Sequence, residues 1–260
     1  MKGGFRVRVV VLVKEVPDLE AAVKVTGGGS GLDVEKRRGL NFFDEIAVEA
    51  ALKLKEAHGA ATAAVSAGAG TGVEALRRAV AMGIEAPLLI DDPAIEGADP
   101  LTIARALAAA VALEDYDLVL AGKQATDDEA GLVGPMVAEI LGIPCITGVT
   151  ALETDGGTAT VTREVEGGSE TLRVALPALL TAEKGFYEPR VPGMAGTMKA
   201  MKVQIARTDL ATLGVAAHPA LPVALYSTVG ARPPVKMIEG EPAEAAAELV
   251  RLLREEAKVL

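Results

Sequence analysis

Tryptophan is absent from this 260-residue chain and aromatic residues make up only 3% of it, so cohesion has to come from aliphatic packing rather than from rings. Alanine, valine and leucine supply most of an apolar content of 50%, enough to bury a real core, and such residues favour helices laid on a strand layer. A single cysteine, Cys145, excludes an intramolecular disulfide and a cysteine-based zinc site, and two histidines, His58 and His218, leave little for a metal. Basic residues are in deficit too: a net charge of -10 argues against a general phosphate-backbone surface, hence no nucleic acid. No apolar run approaches the ~18 residues of a membrane span. The opening "MKGGFRVRVVVLVKEVPD" puts basic residues before an apolar run, but that run is short, interrupted by Arg8 and β-branched, so a first buried strand fits it better than a signal peptide. The expectation is a cytoplasmic protein without membrane insertion.

What is present alternates. The runs "VRVVVLV" (7–13), "TAAVSA" (62–67), "APLLID" (86–91) and "DLVLAG" (117–122) read as strands, and "FDEIAVEAALKLKEAHG" (43–59), "GVEALRRAVAMG" (72–83) and "DPLTIARALAAAVALE" (99–114) as helices between them. Strands without polar alternation separated by helices predict βαβ units and a parallel sheet covered on both faces. Asn41 or Asp44 is expected to cap the first helix, Asp99 ahead of Pro100 the third, and Gly59 and Gly83 stand where C′ glycines belong. After Ile146 the pattern becomes polar–apolar alternation around "DGG" and "EGG", both hairpin signals, predicting antiparallel strands up to residue 183. Residues 184–202 show no steady period and read as a long functional loop. A proline-rich extended arm follows, and "PAEAAAELVRLLREEAKVL" (242–260) closes as an amphipathic helix, read as packing on its own chain in preference to a partner.

In an open parallel sheet ligands bind beyond the carboxyl ends of the strands, where strand order reverses. Four loops qualify, following Val13, Val65, Ile90 and Ala121. The second, "SAGAGTGVEALRRA", is near the dinucleotide pattern G-x-G-x-x-G but its third glycine falls one residue early, so a plain turn leads, ahead of anion binding and of NAD. The fourth, "GKQATDDEAGLVG", is more specific. It follows an apolar strand and feeds a helix whose free N–H groups suit a phosphate, Gly131 and Gly134 permit close approach, and Lys123 and Gln124 are polar where a core demands nothing of them. Asp127 and Asp128 would repel a phosphate, so they are assigned to capping or to accepting bonds from ribose or loop amides. Two adjacent aspartates are a poor metal site. Cys145, beside Pro144 in an apolar stretch, reads as core, and the lack of any nucleophile, acid and base set favours binding over bond-making chemistry.

The segments "VLVKEVPD" (11–18), "LNFFDEIAVEAALKLKE" (40–56), "VSAGAGTGVEALRRAVAMG" (65–83), "LAGKQATDDEAGLVGPM" (120–136), "TREVEGGSETLRVALPALLTAE" (162–183) and "EPRVPGMAGTMKAMK" (188–202) together resemble the β subunit of electron transfer flavoprotein. They occur in the family's order and cover most of the chain. The resemblance implies an α/β fold with a doubly wound, mostly parallel sheet of the adenine-nucleotide α-hydrolase-like kind, an added antiparallel region, and an extended C-terminal arm ending in a helix. It implies a nucleotide-binding domain over 1–183, a partner-recognition loop over 184–202, and an arm and helix over 203–260 packing on an α subunit or on the chain's own domain. The implied role is an electron carrier subunit, not an enzyme, serving fatty acid β-oxidation. It would form a heterodimer with an α subunit that holds most of a redox-active FAD, accept electrons from acyl-CoA or related dehydrogenases, and pass them to electron transfer flavoprotein-quinone oxidoreductase.

The resemblance also places a structural AMP in this subunit. The implied site is Leu12, then Asn41, Phe42, Phe43 and Asp44, then Ala67, and then Thr126, Asp127, Asp128, Glu129, Ala130, Gly131, Leu132, Val133, Gly134, Pro135, Met136 and Val137. Met194 aligns with an apolar docking anchor that is often leucine, Lys199 and Lys202 with lysines beside it, and Glu164 with an acid that pairs with an arginine of the α subunit. Phe42 and Ala67 depart from the family's usual proline and cysteine. Two alternatives stay open: a bifurcating branch with a second FAD in place of AMP, which "VGP" at 133–135 resembles, and a stand-alone ATP- or nucleotide-binding α/β protein.

Overall fold

The structure, a computed structural model, describes residues 7–218, 220–228, 230 and 234–260. The strands are β1 (Arg8–Leu12), β2 (Glu15–Pro17), β3 (Val23–Thr26), β4 (Gly31–Val34), β5 (Arg38–Leu40), β6 (Ala61–Gly68), β7 (Ala86–Asp91), β8 (Leu118–Gly122), β9 (Cys145–Thr154), β10 (Thr158–Val165), β11 (Gly168–Ala175), β12 (Ala178–Ala182) and β13 (Ala206–Thr208). The helices are α1 (Phe42–His58), α2 (Val73–Met82), α3 (Pro100–Val111), α4 (Val133–Leu141), α5 (Met194–Lys202) and α6 (Pro242–Glu255).

Nine strands make one sheet in the order β11-β10-β9-β12-β8-β1-β6-β7-β13. Its central strands β12, β8, β1, β6 and β7 are parallel, buried along both faces, and aliphatic for that reason. One core lies under α1 and α2, with Ile46, Leu76 and Leu120; the other lies under α3 and α4, with Leu12, Val119 and Leu179. The chain steps from β1 out to β6 and β7, then β8 returns to the opposite side of β1, so the order reverses between β1 and β8. The expected helix ends hold where they depend on local chemistry. Asp99 accepts from Leu101 N–H with Pro100 beside it, and Gly59 takes φ 68° after α1. Asn41 occupies the N-cap position of α1 but its side chain does not cap, and Asp44 lies inside the helix.

Three expectations from the sequence are corrected here. The segment after Ile146 is not wholly antiparallel: β10 runs antiparallel to β9 and β11, whereas β12 joins the parallel sheet between β8 and β9. The aperiodic stretch 184–202 ends in the helix α5. Packing against α2 fixes it, for a Cβ on Gly196 would come within 2.3 Å of the Ala81 carbonyl oxygen, and Arg77 donates to the Ala200 carbonyl. Cys145 is exposed, because strand alternation turns the neighbouring Ile146 inward instead. The helix α6 buries Leu252, outside both cores, and leaves Leu249 and Val250 exposed. Two ribbons within residues 15–40, β2–β5 and β3–β4, carry no strong periodicity.

Candidate functional site

A cleft of about 510 Å³ opens at the carboxyl ends of β1, β6 and β8, at the reversal point. This is the size and place expected of a small-molecule site in an open α/β sheet. All four of the loops selected from the sequence reach its neighbourhood. The first three contribute Lys14 and Glu15, Ala67 to Ala69 with Thr71, and Ile95 to Ala98; the fourth supplies most of Gly122 to Gly134. Ile103 and Leu107 of α3 join Leu12 as an apolar wall.

Asp44 forms the floor. Its Oδ2 accepts from Lys14 N–H (2.8 Å) and its Oδ1 from Gly122 N–H (2.9 Å), so one carboxylate joins the ends of β1 and β8 where they diverge. Gly122 has to be glycine: a Cβ there would lie 2.3 Å from Asp44 Oδ1 and 2.7 Å from Phe43 Cβ. Burial pushes the Asp44 carboxyl up to about 7, against the pull of these amides, of Asn41 and of Lys14. Asn41 uses its side chain to hold the fourth loop. Its amide donates to the Gln124 carbonyl (2.9 Å) and its Oδ1 accepts from Thr126 N–H (3.1 Å). That is the physical reason it does not cap α1.

Lys14 Nζ reaches Asp127 (2.7 Å) and Asp128 (2.9 Å) across the cleft. Burial lowers the Lys14 pKa, but the two carboxylates outweigh it and the net direction is upward. Burial likewise raises Asp128, and the Ala130 N–H together with Lys14 brings it below the usual carboxylate range. The pair therefore does not cap α4: of the roles read from the sequence, Asp128 takes the loop-amide one and Lys14 accounts for the rest. Glu129 at φ 51° and Gly131 at φ 61° bend the loop through the left-handed region. α4 then begins with no side-chain cap at Leu132 and no acid in its first turn, and Val133 and Gly134 line the cleft.

The glycine-rich second loop is different. Glu15 Oε2 accepts from Gly72 N–H (2.8 Å) and Glu74 N–H (3.0 Å), so the start of α2 already holds an anion. Neither the NAD nor the phosphate reading of that loop fits its occupied amides. α3 is capped by Asp99, and α1 carries Asp44 and Glu45 in its first turn. Of the four helix starts around the cleft, only that of α4 carries neither a side-chain cap nor an acid in its first turn.

Of the residues singled out from the sequence, Leu12, Asn41, Asp44, Ala67, Asp127, Asp128, Ala130, Gly131, Leu132, Val133 and Gly134 line the cleft. Phe42 and Thr126 instead line a neighbouring groove, and Phe43, Glu129, Pro135, Met136 and Val137 do not line the cleft; Val137 is fully buried beneath it. Lys14, Glu15, Arg38 and the α3 wall were missed. For Lys14 and Glu15 a signal existed, since both are charged immediately after an apolar strand. Met194 stands at the start of α5 with Met198 and Met201 at helical spacing, 82%, 53% and 72% exposed, flanked by exposed Lys199 and Lys202. Glu164 is exposed on β10 opposite Ser169. Among the described residues no group of three or more metal-ligating side chains occurs, and no helix is long and apolar enough to cross a membrane.

Residues 32–213 match the family described as the electron transfer flavoprotein domain. The electron transfer flavoprotein subunit beta of Bacillus subtilis (strain 168) is 40% identical over 226 residues, covering 85% of this chain and 88% of that one. The protein of the same name from Bradyrhizobium diazoefficiens is 38% identical over 257 residues, 97% of this chain and 100% of that one. The one from Sus scrofa is 36% identical over 252 residues, 95% and 97% of the two chains.

Proposed function

The chain belongs to the family of electron transfer flavoprotein β subunits, and on that premise we propose that its cleft holds AMP as a structural ligand while the subunit pairs with an α subunit as an electron carrier. The observation that carries this reading is the uncapped start of α4, whose amides face a cleft with an apolar wall suited to a base. The charges on the lining favour a single phosphate. Lys14, Arg38 and Lys123 are outnumbered there by Glu15, Glu96, Asp127 and Asp128, and Lys123 is itself paired with Glu183 at 2.6 Å. A triphosphate would meet repulsion where AMP meets amides.

The residues present fit that ligand in named roles. Val133 and Gly134 bring the α4 amides to the phosphate, Ile103, Leu107 and Leu12 cover the base, and Asn41 and Lys14 hold the loop between them. The residues assigned to the ligand hold and cover it, which is the role of a carrier subunit. FAD, held mainly by the α subunit, supplies the redox chemistry. The exposed methionine row of α5 is the surface we assign to docking an acyl-CoA or related dehydrogenase, since unbranched thioethers adapt to a pocket of another chain; onward transfer to a quinone-linked oxidoreductase completes the reading. Mass spectrometry of the small molecules released on denaturing the purified complex tests it. AMP with one FAD per heterodimer is expected; two FADs would replace it with the bifurcating type, and a colourless monomer hydrolysing ATP would overturn it.

A further inference from the structure

A second amide cluster, beside the cleft, is filled by the chain itself. Glu15 Oε2 takes the N–H groups of Gly72 and Glu74 at 2.8 and 3.0 Å, and Asp91 Oδ1 takes that of Gly70 at 2.9 Å. Each carboxylate is tied down by an arginine: Arg38 Nε lies 3.2 Å from Glu15 Oε1, and Arg207 pairs with Asp91. The Glu15 side chain is only 7% exposed, yet it borders the cleft together with Arg38, Gly68, Ala69 and Thr71. The loop shape is fixed as well, because a Cβ on Gly68 would lie 2.4 Å from the Thr71 carbonyl oxygen. The cleft is thus bordered by one helix start left free, that of α4, and by Glu15, the carboxylate that already neutralises the start of α2 behind it.

We propose that Glu15 is a specificity-determining residue, a built-in anion that restricts the cleft to adenine ligands carrying one phosphate. The proposal rests on the nucleotide reading above and sharpens it. A second phosphate directed toward the α2 start has two courses: to displace Glu15 and break its pairing with Arg38, or to lie beside a fixed negative charge. Either penalty falls on diphosphates and dinucleotides and spares AMP. Glu15→Gln removes the charge and keeps the shape; Glu15→Ala empties the position and exposes the amides.

The test is titration calorimetry of the nucleotide-stripped heterodimer with AMP and with ADP, for the wild type and both variants. The wild type is expected to prefer AMP, and both variants to shift the ADP-to-AMP affinity ratio toward ADP by about tenfold or more, the scale of one charge-assisted hydrogen bond. Because the readout is a ratio within each protein, a general loss of stability does not mimic it. An unmoved ratio in both variants, or a wild type that takes ADP as tightly as AMP, overturns the role of Glu15 and leaves AMP binding standing. A wild type that binds neither nucleotide overturns the site reading and this proposal together.

Discussion

Removing the Arg190 side chain is expected to destabilise the fold more than any loss of an exposed ion pair would. Glu49 lies on the buried face of α1, 2% exposed, and Arg190 meets it with two parallel bonds, Nε to Oε2 at 2.7 Å and Nη2 to Oε1 at 2.8 Å, while the Arg190 main-chain N–H adds a third at 3.2 Å. Arg190→Ala leaves the carboxylate buried with that N–H and with Lys53 at 3.6 Å. Stripping a buried charge of its partner costs about 3–5 kcal/mol, and the two surviving contacts put this case near the lower end, about 3 kcal/mol. In a chain of this size that is a fall of about 6–12 °C in Tm. The effect has a pH signature. Burial pushes the Glu49 carboxyl up, but Arg190 more than offsets it and the net direction is down. A lowered carboxyl pKa stabilises above the unfolded value and loses that contribution as pH falls through the folded one. In the variant only the main-chain N–H and Lys53 still oppose burial, so the carboxyl is held down less. The gap between wild type and Arg190→Ala is therefore widest at neutral pH and closes as pH falls below the unfolded carboxyl value of about 4.3. Thermal unfolding of the heterodimer followed by circular dichroism across that range measures it. A variant within about 0.5 kcal/mol of wild type at neutral pH, or a gap that widens in acid, would refute the reasoning.

Asp44→Asn isolates the floor of the cleft. With its carboxyl raised from 3.8 to about 7 by burial, wild-type stability is expected to fall as pH rises between those values and to level off above 7, a contribution on the order of 4 kcal/mol; the asparagine variant should be flat there, and parallel urea-unfolding profiles would remove the effect. Met194→Glu puts a charge at the head of the methionine row of α5, which makes no part of the cleft. Stopped-flow reduction by the proposed acyl-CoA or related dehydrogenase should slow several-fold with nucleotide content and flavin spectrum unchanged, and unchanged kinetics would take Met194 out of the proposed docking surface.

Sequence alone carried the layers and the place of the cleft because both follow from local pattern. "VRVVVLV" and "DLVLAG" are aliphatic without alternation only if covered twice, Asp99-Pro100 starts a helix within its own residues, and the reversal rule then selects the strand ends. What stayed hidden depends on pairings across the chain. Lys14 reaches Asp127 over 113 residues, and Glu15 reaches Gly72 over 57, so nothing near "GAGTG" announces that its amides are taken. α5 shows why period fails for short helices: one close approach at Gly196 holds it, leaving the methionines outward where no amphipathic stripe faces its own core. The apolar stripe of α6 states only that burial is wanted, not whose surface supplies it: Leu252 is buried outside both cores while Leu249 and Val250 stay exposed. The same distinction separates the two glycine-rich loops. Their sequences offer the same amides, and only the carboxylate that folds back onto one of them decides which is left free.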